Sequence, residues 1–390
     1  MDNLTNNITY HVNTYKRFPV EFVKGEGVYL FDKDGKKYLD FLSGIAVTGF
    51  GHNHPELVEV AKTQIDKLWH VSNLFMSSPQ EELAKKLADI SKLDKVFFCN
   101  SGTEANEAAI KFARKWGNGR STIITTEGGF HGRTMGSLSA SAQEKLWDGF
   151  HPLTPGFISV SYNNIDAIKN KIDQTTVAVL IEPIQGENGI IIPDDDYLQN
   201  IRKVCDENNI LMIVDEIQTG MGRTGKFFAH QYSKIKPDII TVAKGIANGL
   251  PLGATICSDK VDEAITPGSH GSTFGGNPVS VAVANKVMDL LNDETLTKIN
   301  KQGNLLIEKI VEENFKSIKE IRSKGLIIGI EFNQAFDVKT LASKLLQNKI
   351  VVGTAGNNVL RLLPPFIIDT AQIQVFIETL KIVLENSFNN

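Results

Sequence analysis

Cysteine is scarce in this chain, with only Cys99, Cys205 and Cys257 among 390 residues. They are odd in number, far apart and without C-x-x-C spacing, which argues against a disulfide framework and against a cysteine zinc site. A basic surplus is also missing: 41 Lys+Arg stand against 45 Asp+Glu, for a formal net charge of -4. Nucleic-acid binding draws on clustered positive charge. No Lys/Arg-rich run occurs, so no nucleic acid is expected and a small molecule is the expected partner. No apolar stretch approaches the roughly 20 residues that cross a bilayer, and the opening residues lack the basic and apolar regions of a secretion signal. The expectation is a cytoplasmic protein that does not engage a membrane. Internal repeats and low-complexity linkers are absent too, so the units should pack against one another. What is present is a globular composition, 42% hydrophobic and 22% charged, in a chain long enough for about two to three structural units.

The first fifty or so residues read as an arm and a small hairpin, with Gly27 to Phe31 and Lys37 to Phe41 flanking the turn Asp32-Lys33-Asp34-Gly35. Helical spacing follows from Pro55 to about His70, and again after Pro79. Short apolar runs then alternate with helical patterns: Val96 to Phe98, Thr122 to Ile124, Val177 to Ile181, Ile210 to Val214, Ile239 to Val242 and Ala254 to Ile256. Such strands between helices predict an α/β domain whose mostly parallel sheet is covered on both faces. After Pro278 the pattern is helical to about Phe315. It ends in a mixed segment, with strands near Leu326 to Phe332 and Val359 to Leu363 and helices from Val338 and Thr370.

In a doubly wound sheet, ligands bind beyond the carboxyl ends of the strands, so polar residues just after apolar runs carry the interest. Ser101-Gly102-Thr103 follows one run at the mouth of a helix, either an ordinary cap or an anion site. Asp215 and Glu216 follow another, open to three readings: a metal site, a structural ion pair, or a carboxylate aimed at a cationic ligand. Lys244 ends the next, either as a desolvated amine suited to Schiff-base chemistry or as a lysine reaching the surface. Together they match the three needs of pyridoxal phosphate: a phosphate pocket, a negative charge beside the pyridine nitrogen and an amine for the aldehyde.

Other patterns compete less well. Gly220-Met221-Gly222-Arg223-Thr224-Gly225 satisfies the dinucleotide fingerprint, and would make a nicotinamide enzyme the alternative. Asp215 to Thr219 intervene between strand and first glycine, however, and Lys226-Phe227-Phe228 stands where a helix should begin. No ligand set is completed around His52-Asn53-His54, which reads as a turn before the helix at Pro55. Asp194-Asp195-Asp196 reads as a capping run before a helix. No metal is expected.

Over nearly its whole length, from about Tyr15 onward, the chain resembles the class III (ω-amino acid) aminotransferases. The resemblance rests on Phe41 to Val47, Asn100 to Ala105, Phe130 to Thr134, Glu182 to Glu187, Asp215 to Gly220, Pro237 to Ala254 and His270 to Pro278. It implies the fold type I architecture of pyridoxal-phosphate enzymes: an arm at 1–50, a large cofactor-binding domain at 51–285 and a C-terminal part at 286–390, arm and C-terminal segment together making a smaller α+β domain. It also implies residue roles. Lys244 resembles the Schiff-base lysine, Asp215 the partner of the pyridinium nitrogen and Gln218 the neighbour of the phenolic oxygen. Phe130 would stack on the ring, and Ser101, Gly102 and Thr103 would cradle the phosphate. Thr273 would complete another subunit's cradle, implying a homodimer. Arg133 and Ser272 would contact the substrate, and Arg361 would take a second carboxylate under a gate formed by Glu187. Tyr15 resembles a residue used for free ornithine. The implied activity moves the terminal amine of an ω-amino acid to 2-oxoglutarate, with N2-acetylornithine the first choice of donor and ornithine, 4-aminobutyrate and succinyl-diaminopimelate as alternatives. The family usually has Gly or Ala where Asn188 stands, a departure beside Glu187. A non-catalytic relative is disfavoured by the presence of Lys244 and Asp215.

Overall fold

A computed structural model describes residues 10–333 and 336–388, with side chains through Glu385. The alternation of short apolar runs with helices becomes a seven-stranded sheet. In spatial order its strands are Lys95–Cys99, Gly253–Cys257, Ile239–Val242, Leu211–Asp215, Thr176–Ile181, Thr122–Thr126 and Phe157–Val160. The last five run parallel, and Gly253–Cys257 is antiparallel to both its neighbours. The α/β, mostly parallel character expected of the sheet therefore holds, with one reversed strand.

Side-chain alternation explains why these runs are apolar throughout. Ala178, Leu180, Leu211 and Ile213 face one core cluster, with Ile110, Phe112 and Ala113 of the helix Gly102–Trp116. Val179, Ile181, Met212 and Val214 face the other, with Ile201 and Val204 of the helix Tyr197–Glu207. A period of two between two buried faces leaves no position for a charged side chain until the strand ends, and the few polar residues inside are threonines such as Thr241 and Thr255. Asp215 is the first polar residue after Leu211 to Val214.

Two smaller four-stranded sheets flank this one. The first joins Phe22–Glu26, Tyr29–Asp32 and Lys37–Asp40 to Ile350–Val351, which pairs parallel with Lys37–Asp40 although more than three hundred positions separate them. The second is built from Ile318–Lys324, Ile327–Phe332, Val359–Leu362 and Gly353–Ala355. The C-terminal helix Thr370–Phe388 packs onto the N-terminal part, where Phe376 stacks on Phe41 with ring centroids 4.5 Å apart. Both rings are fully buried. Phe376→Ala should therefore destabilise the fold by about 3–5 kcal/mol, read as a lower chemical-denaturation midpoint.

One sequence reading needs correction, and two other features had no local signal. The strands Phe157–Val160 and Ile318–Lys324 carried no distinct apolar run; the second is mostly polar, with exposed and half-buried positions. Asp196 stands before the helix Tyr197–Glu207, but its side chain caps no helix N–H and instead accepts from Asn200 Nδ2 at 3.0 Å. His52 does meet a carboxylate: its Nε2 lies 2.7 Å from Asp40 Oδ2, a partner remote in sequence. Among the described residues no group of three or more His, Cys, Asp or Glu could hold a metal ion, and no helix is long and apolar enough to cross a membrane.

Candidate active site

Four strand ends and a helix mouth converge on a cavity of about 410 Å³. Ser101, Gly102 and Thr103 line it at the start of the helix Gly102–Trp116, where the Ser101 side chain caps the Glu104 N–H at 3.3 Å. A Cβ at Gly102 would stand 2.8 Å from Ile217, so the backbone comes as close to the cavity wall as glycine allows. The helix leaves its first N–H groups and its positive end facing this space.

Asp215 ends the strand Leu211–Asp215 and is buried. Its Oδ2 accepts from Asn106 Nδ2 and pairs with His131 Nδ1, both at 2.8 Å, and its Oδ1 accepts from the Ile217 N–H at 3.0 Å. Thr241 donates to Asn106 Oδ1 at 2.8 Å, which turns the amide nitrogen toward Asp215. Burial pulls the His131 imidazole down, but the hydrogen bond and charge of Asp215 outweigh it and hold the ring above its ordinary value.

Lys244 opens the single turn Lys244–Ala247 after the strand Ile239–Val242, with φ at 46°. A non-glycine residue in the left-handed region costs energy and persists only where its surroundings enforce it. Here Asn248, at the end of the turn, accepts from the Phe50 N–H at 2.8 Å and donates to the Gly51 carbonyl at 3.0 Å. The segment it fastens to includes an unusual left-handed turn, Ser43 to Ala46, that carries Val47 to the cavity wall. Asp40 Oδ1 anchors that turn by accepting from the Leu42 and Ser43 N–H groups, each at 2.8 Å. Burial lowers the Lys244 amine to about 8, with Glu187 opposing the shift.

Opposite, Arg361 is buried and its Nη1 donates to Glu187 Oε1 at 2.5 Å. Burial raises the Glu187 carboxyl, and the charge and hydrogen bond of Arg361 more than reverse this, leaving it below its usual value. Gln218 Nε2 reaches Glu187 Oε1 at 3.5 Å, whereas Gln218 Oε1 is buried with no protein partner. Asn188 turns away and donates to Gln185 at 2.9 Å, so the departure from the family pattern does not enter the cavity. Arg133 lines the mouth, exposed, its guanidinium 5.7 Å from the Phe130 ring centroid.

Of the residues singled out in sequence, Ser101, Gly102, Thr103, Phe130, Arg133, Glu187, Asp215, Gln218 and Lys244 all border this cavity, and Arg361 reaches it through Glu187. Ser272, Thr273 and Tyr15 do not border it. Ser272 Oγ accepts from Asn100 Nδ2 at 3.2 Å, just outside, while Thr273 and Tyr15 are exposed. Three neighbours escaped sequence reasoning: Asn106, His131 and Glu182. Glu182 had a usable signal, since it directly follows the apolar strand Thr176–Ile181. Asn106 had none, being one polar residue among many on a helix. Glu216, an open alternative beside Asp215, is structural: it pairs with His230 Nδ1 at 2.9 Å and accepts backbone N–H groups of Ala229 and His230. The Gly220 to Gly225 motif is a turn. Its Arg223 is buried and donates to the Leu326 and Pro364 carbonyls, fastening two parts of the chain instead of opening a nucleotide site.

Residues 10–384 match the aminotransferase class-III family. The chain belongs to the class III aminotransferases. It is 44% identical over 384 residues to the acetylornithine aminotransferase of Methanocaldococcus jannaschii, covering 95% of each chain. Among solved structures it is similar to the ornithine aminotransferase of Toxoplasma gondii, with a TM-score of 0.93 and 32% identity over 97% of this chain and 94% of that one. The N-acetylornithine aminotransferase of Stenotrophomonas maltophilia gives a TM-score of 0.84 and 32% identity, covering 95% and 97%. Class III aminotransferases work with pyridoxal phosphate, and the cavity fits that group. It offers an amine, a carboxylate supported by three donors, an unpartnered amide oxygen and a helix mouth cleared by a glycine.

Proposed function

We propose that this class III aminotransferase moves the terminal amino group of N2-acetylornithine to 2-oxoglutarate, giving N-acetylglutamate 5-semialdehyde and glutamate, a step of arginine biosynthesis in the cytoplasm. The single observation that carries the chemistry is the convergence of Lys244, Asp215 and the Gly102 helix mouth on one cavity; the choice of donor rests on the relatives.

Pyridoxal phosphate, when bound, supplies an aldehyde that takes the amino group and a ring that draws off electrons when the substrate C–H bond breaks. Asp215 would hold a proton at the ring nitrogen, its own charge kept in place by Asn106, His131 and the Ile217 N–H. Ser101, Gly102 and Thr103 would receive the phosphate at the helix N-terminus, Phe130 would cover one ring face and Gln218 would meet the phenolic oxygen. Lys244 would hold the group through its amine and, as a free amine, would carry the substrate proton as base and then as acid. Because Arg133 holds the α-carboxylate at the mouth, the far end of the substrate is the end that reaches Lys244. Arg361, released by Glu187, then takes the second carboxylate of 2-oxoglutarate.

Thr273 belongs to a second copy's phosphate site in this reading, and the working unit is a homodimer. Its exposure away from its own cavity is consistent with that. Free ornithine is the second reading, favoured by the likeness to solved ornithine aminotransferases. Tyr15 is its candidate contact, and Tyr15→Phe should leave acetylornithine turnover intact. Relative kcat/KM on the two amines and on 4-aminobutyrate decides between them.

The decisive measurement is an absorbance spectrum of the purified protein before and after N2-acetylornithine, then after 2-oxoglutarate. The visible cofactor band should bleach with the first and return with the second. A band indifferent to acetylornithine overturns the donor, and no band after added pyridoxal phosphate overturns the cofactor site. Arg133→Ala should raise KM for acetylornithine roughly 10- to 100-fold, as expected for one charge-assisted carboxylate contact. An unchanged KM would place the carboxylate elsewhere.

The pH dependence follows from the amine. Only neutral Lys244 attacks an aldehyde, and burial brings the amine to about 8. Cofactor uptake by the cofactor-free protein should therefore quicken as pH rises and level off above that value, in stopped-flow absorbance. A rate still climbing near pH 10, the range of an ordinary lysine, would contradict it.

A further inference from the structure

Glu182 is a buried acid to which the proposed chemistry gives no task. It follows the strand Thr176–Ile181 and lines the cavity, and among the described residues no Lys, Arg or His forms an ion pair with it. Its two oxygens are instead occupied by backbone N–H groups of two different segments. Oε2 accepts from Phe130 at 2.9 Å, and Oε1 accepts from Gly186 at 3.4 Å. One carboxylate thus spans from the wall that carries Phe130 to the wall that carries Glu187.

Gly186 has little freedom of its own. A Cβ there would lie 2.3 Å from Gln218 Oε1, so its backbone is pressed against that amide. Its carbonyl accepts from Arg361 Nη1 at 3.4 Å, and the next residue, Glu187, pairs with the same Nη1. Two of the acceptors that hold Arg361 therefore sit on the short stretch that Glu182 grips by its N–H. We infer that Glu182 is a positioning residue that holds the Gly186–Glu187 backbone so that Glu187 stays seated on Arg361 and competes with an incoming dicarboxylate for it.

This rests on the reading of Arg361 as the second carboxylate site. Glu182→Gln puts an NH₂ group where one acceptor oxygen stood, facing an N–H, so the grip on Gly186 is lost with little change in volume. Loosened, Glu187 competes less well. Glutarate, an unreactive dicarboxylate, should bind the Glu182→Gln holoenzyme at least about threefold tighter by calorimetry at pH 8, and the gain should vanish when Glu187→Gln is already present. KM for acetylornithine should move less than about twofold, because that donor does not displace Glu187 in the proposed cycle. Unchanged or weaker glutarate binding overturns the inference, and so does an equal gain in the Glu187→Gln background, which would mean a general loosening of the cavity. Glu182→Asp, charged but too short to reach both N–H groups, provides the same reading if the glutamine variant does not fold. Failure of the transaminase reading shows separately, as a wild-type cofactor band that responds to none of the amines.

Discussion

Lys244→Ala is expected to lose roughly 10⁴-fold or more in transamination rate, because in the proposed mechanism both the covalent attachment and the proton transfers depend on this one amine. The visible band of the bound cofactor should also shift or disappear, since no other lysine lines the cavity. Retained turnover would remove Lys244 from the mechanism, and a retained band alone would place the attachment elsewhere. The fold should survive. Lys244 makes no ion pair among the described residues, and the left-handed turn it opens is fastened by Asn248. Cofactor-dependent spectroscopy and thermal denaturation on the same sample separate the two effects.

Asp215→Asn is the second large effect. The substitution conserves shape and removes the charge proposed to keep a proton on the ring nitrogen. It also leaves Asn106 and His131, which now approach a carboxylate oxygen at 2.8 Å, facing an amide that accepts through one atom only. A loss of preorganised charge in a water-poor site is worth roughly 10²- to 10³-fold, so single-turnover rates with acetylornithine should fall by about 10³-fold. The cofactor should still bind, held by the helix mouth and Lys244. A rate within tenfold of wild type would mean that Asp215 is not the partner of the ring nitrogen. His131 provides an internal check: its imidazole is held above the ordinary value by Asp215, so in the asparagine variant it should lose its proton at lower pH, readable by NMR.

The two variants test residues that were legible for a simple reason. Strands buried on both faces admit no unpaired charge, so Asp215 and Lys244 stood out as the first charged groups after Leu211 to Val214 and Ile239 to Val242, where the one polar residue, Thr241, spends its hydroxyl on Asn106. Glu182 obeys the same rule after Thr176–Ile181, so its place at the cavity is legible from the strand pattern alone. Asn106 and His131 followed no such rule. Their importance comes from pointing at Asp215 across 109 and 84 positions of chain, and no local pattern encodes that. The same holds for His52, whose carboxylate partner Asp40 belongs to the hairpin strand Lys37–Asp40.

The sequence by itself determined the alternation of elements, the mostly parallel sheet, the cofactor chemistry and the residues at the strand ends. Periodicity and burial act within a few residues, so they are written locally. Only the tertiary structure decided which acid of the Asp215-Glu216 pair faces the cavity, how Ile350–Val351 joins the N-terminal sheet, and that Glu182 grips both Phe130 and Gly186. Those outcomes depend on hydrogen bonds whose partners, near or far in the chain, are chosen only when the layers pack and buried polar groups must each find one.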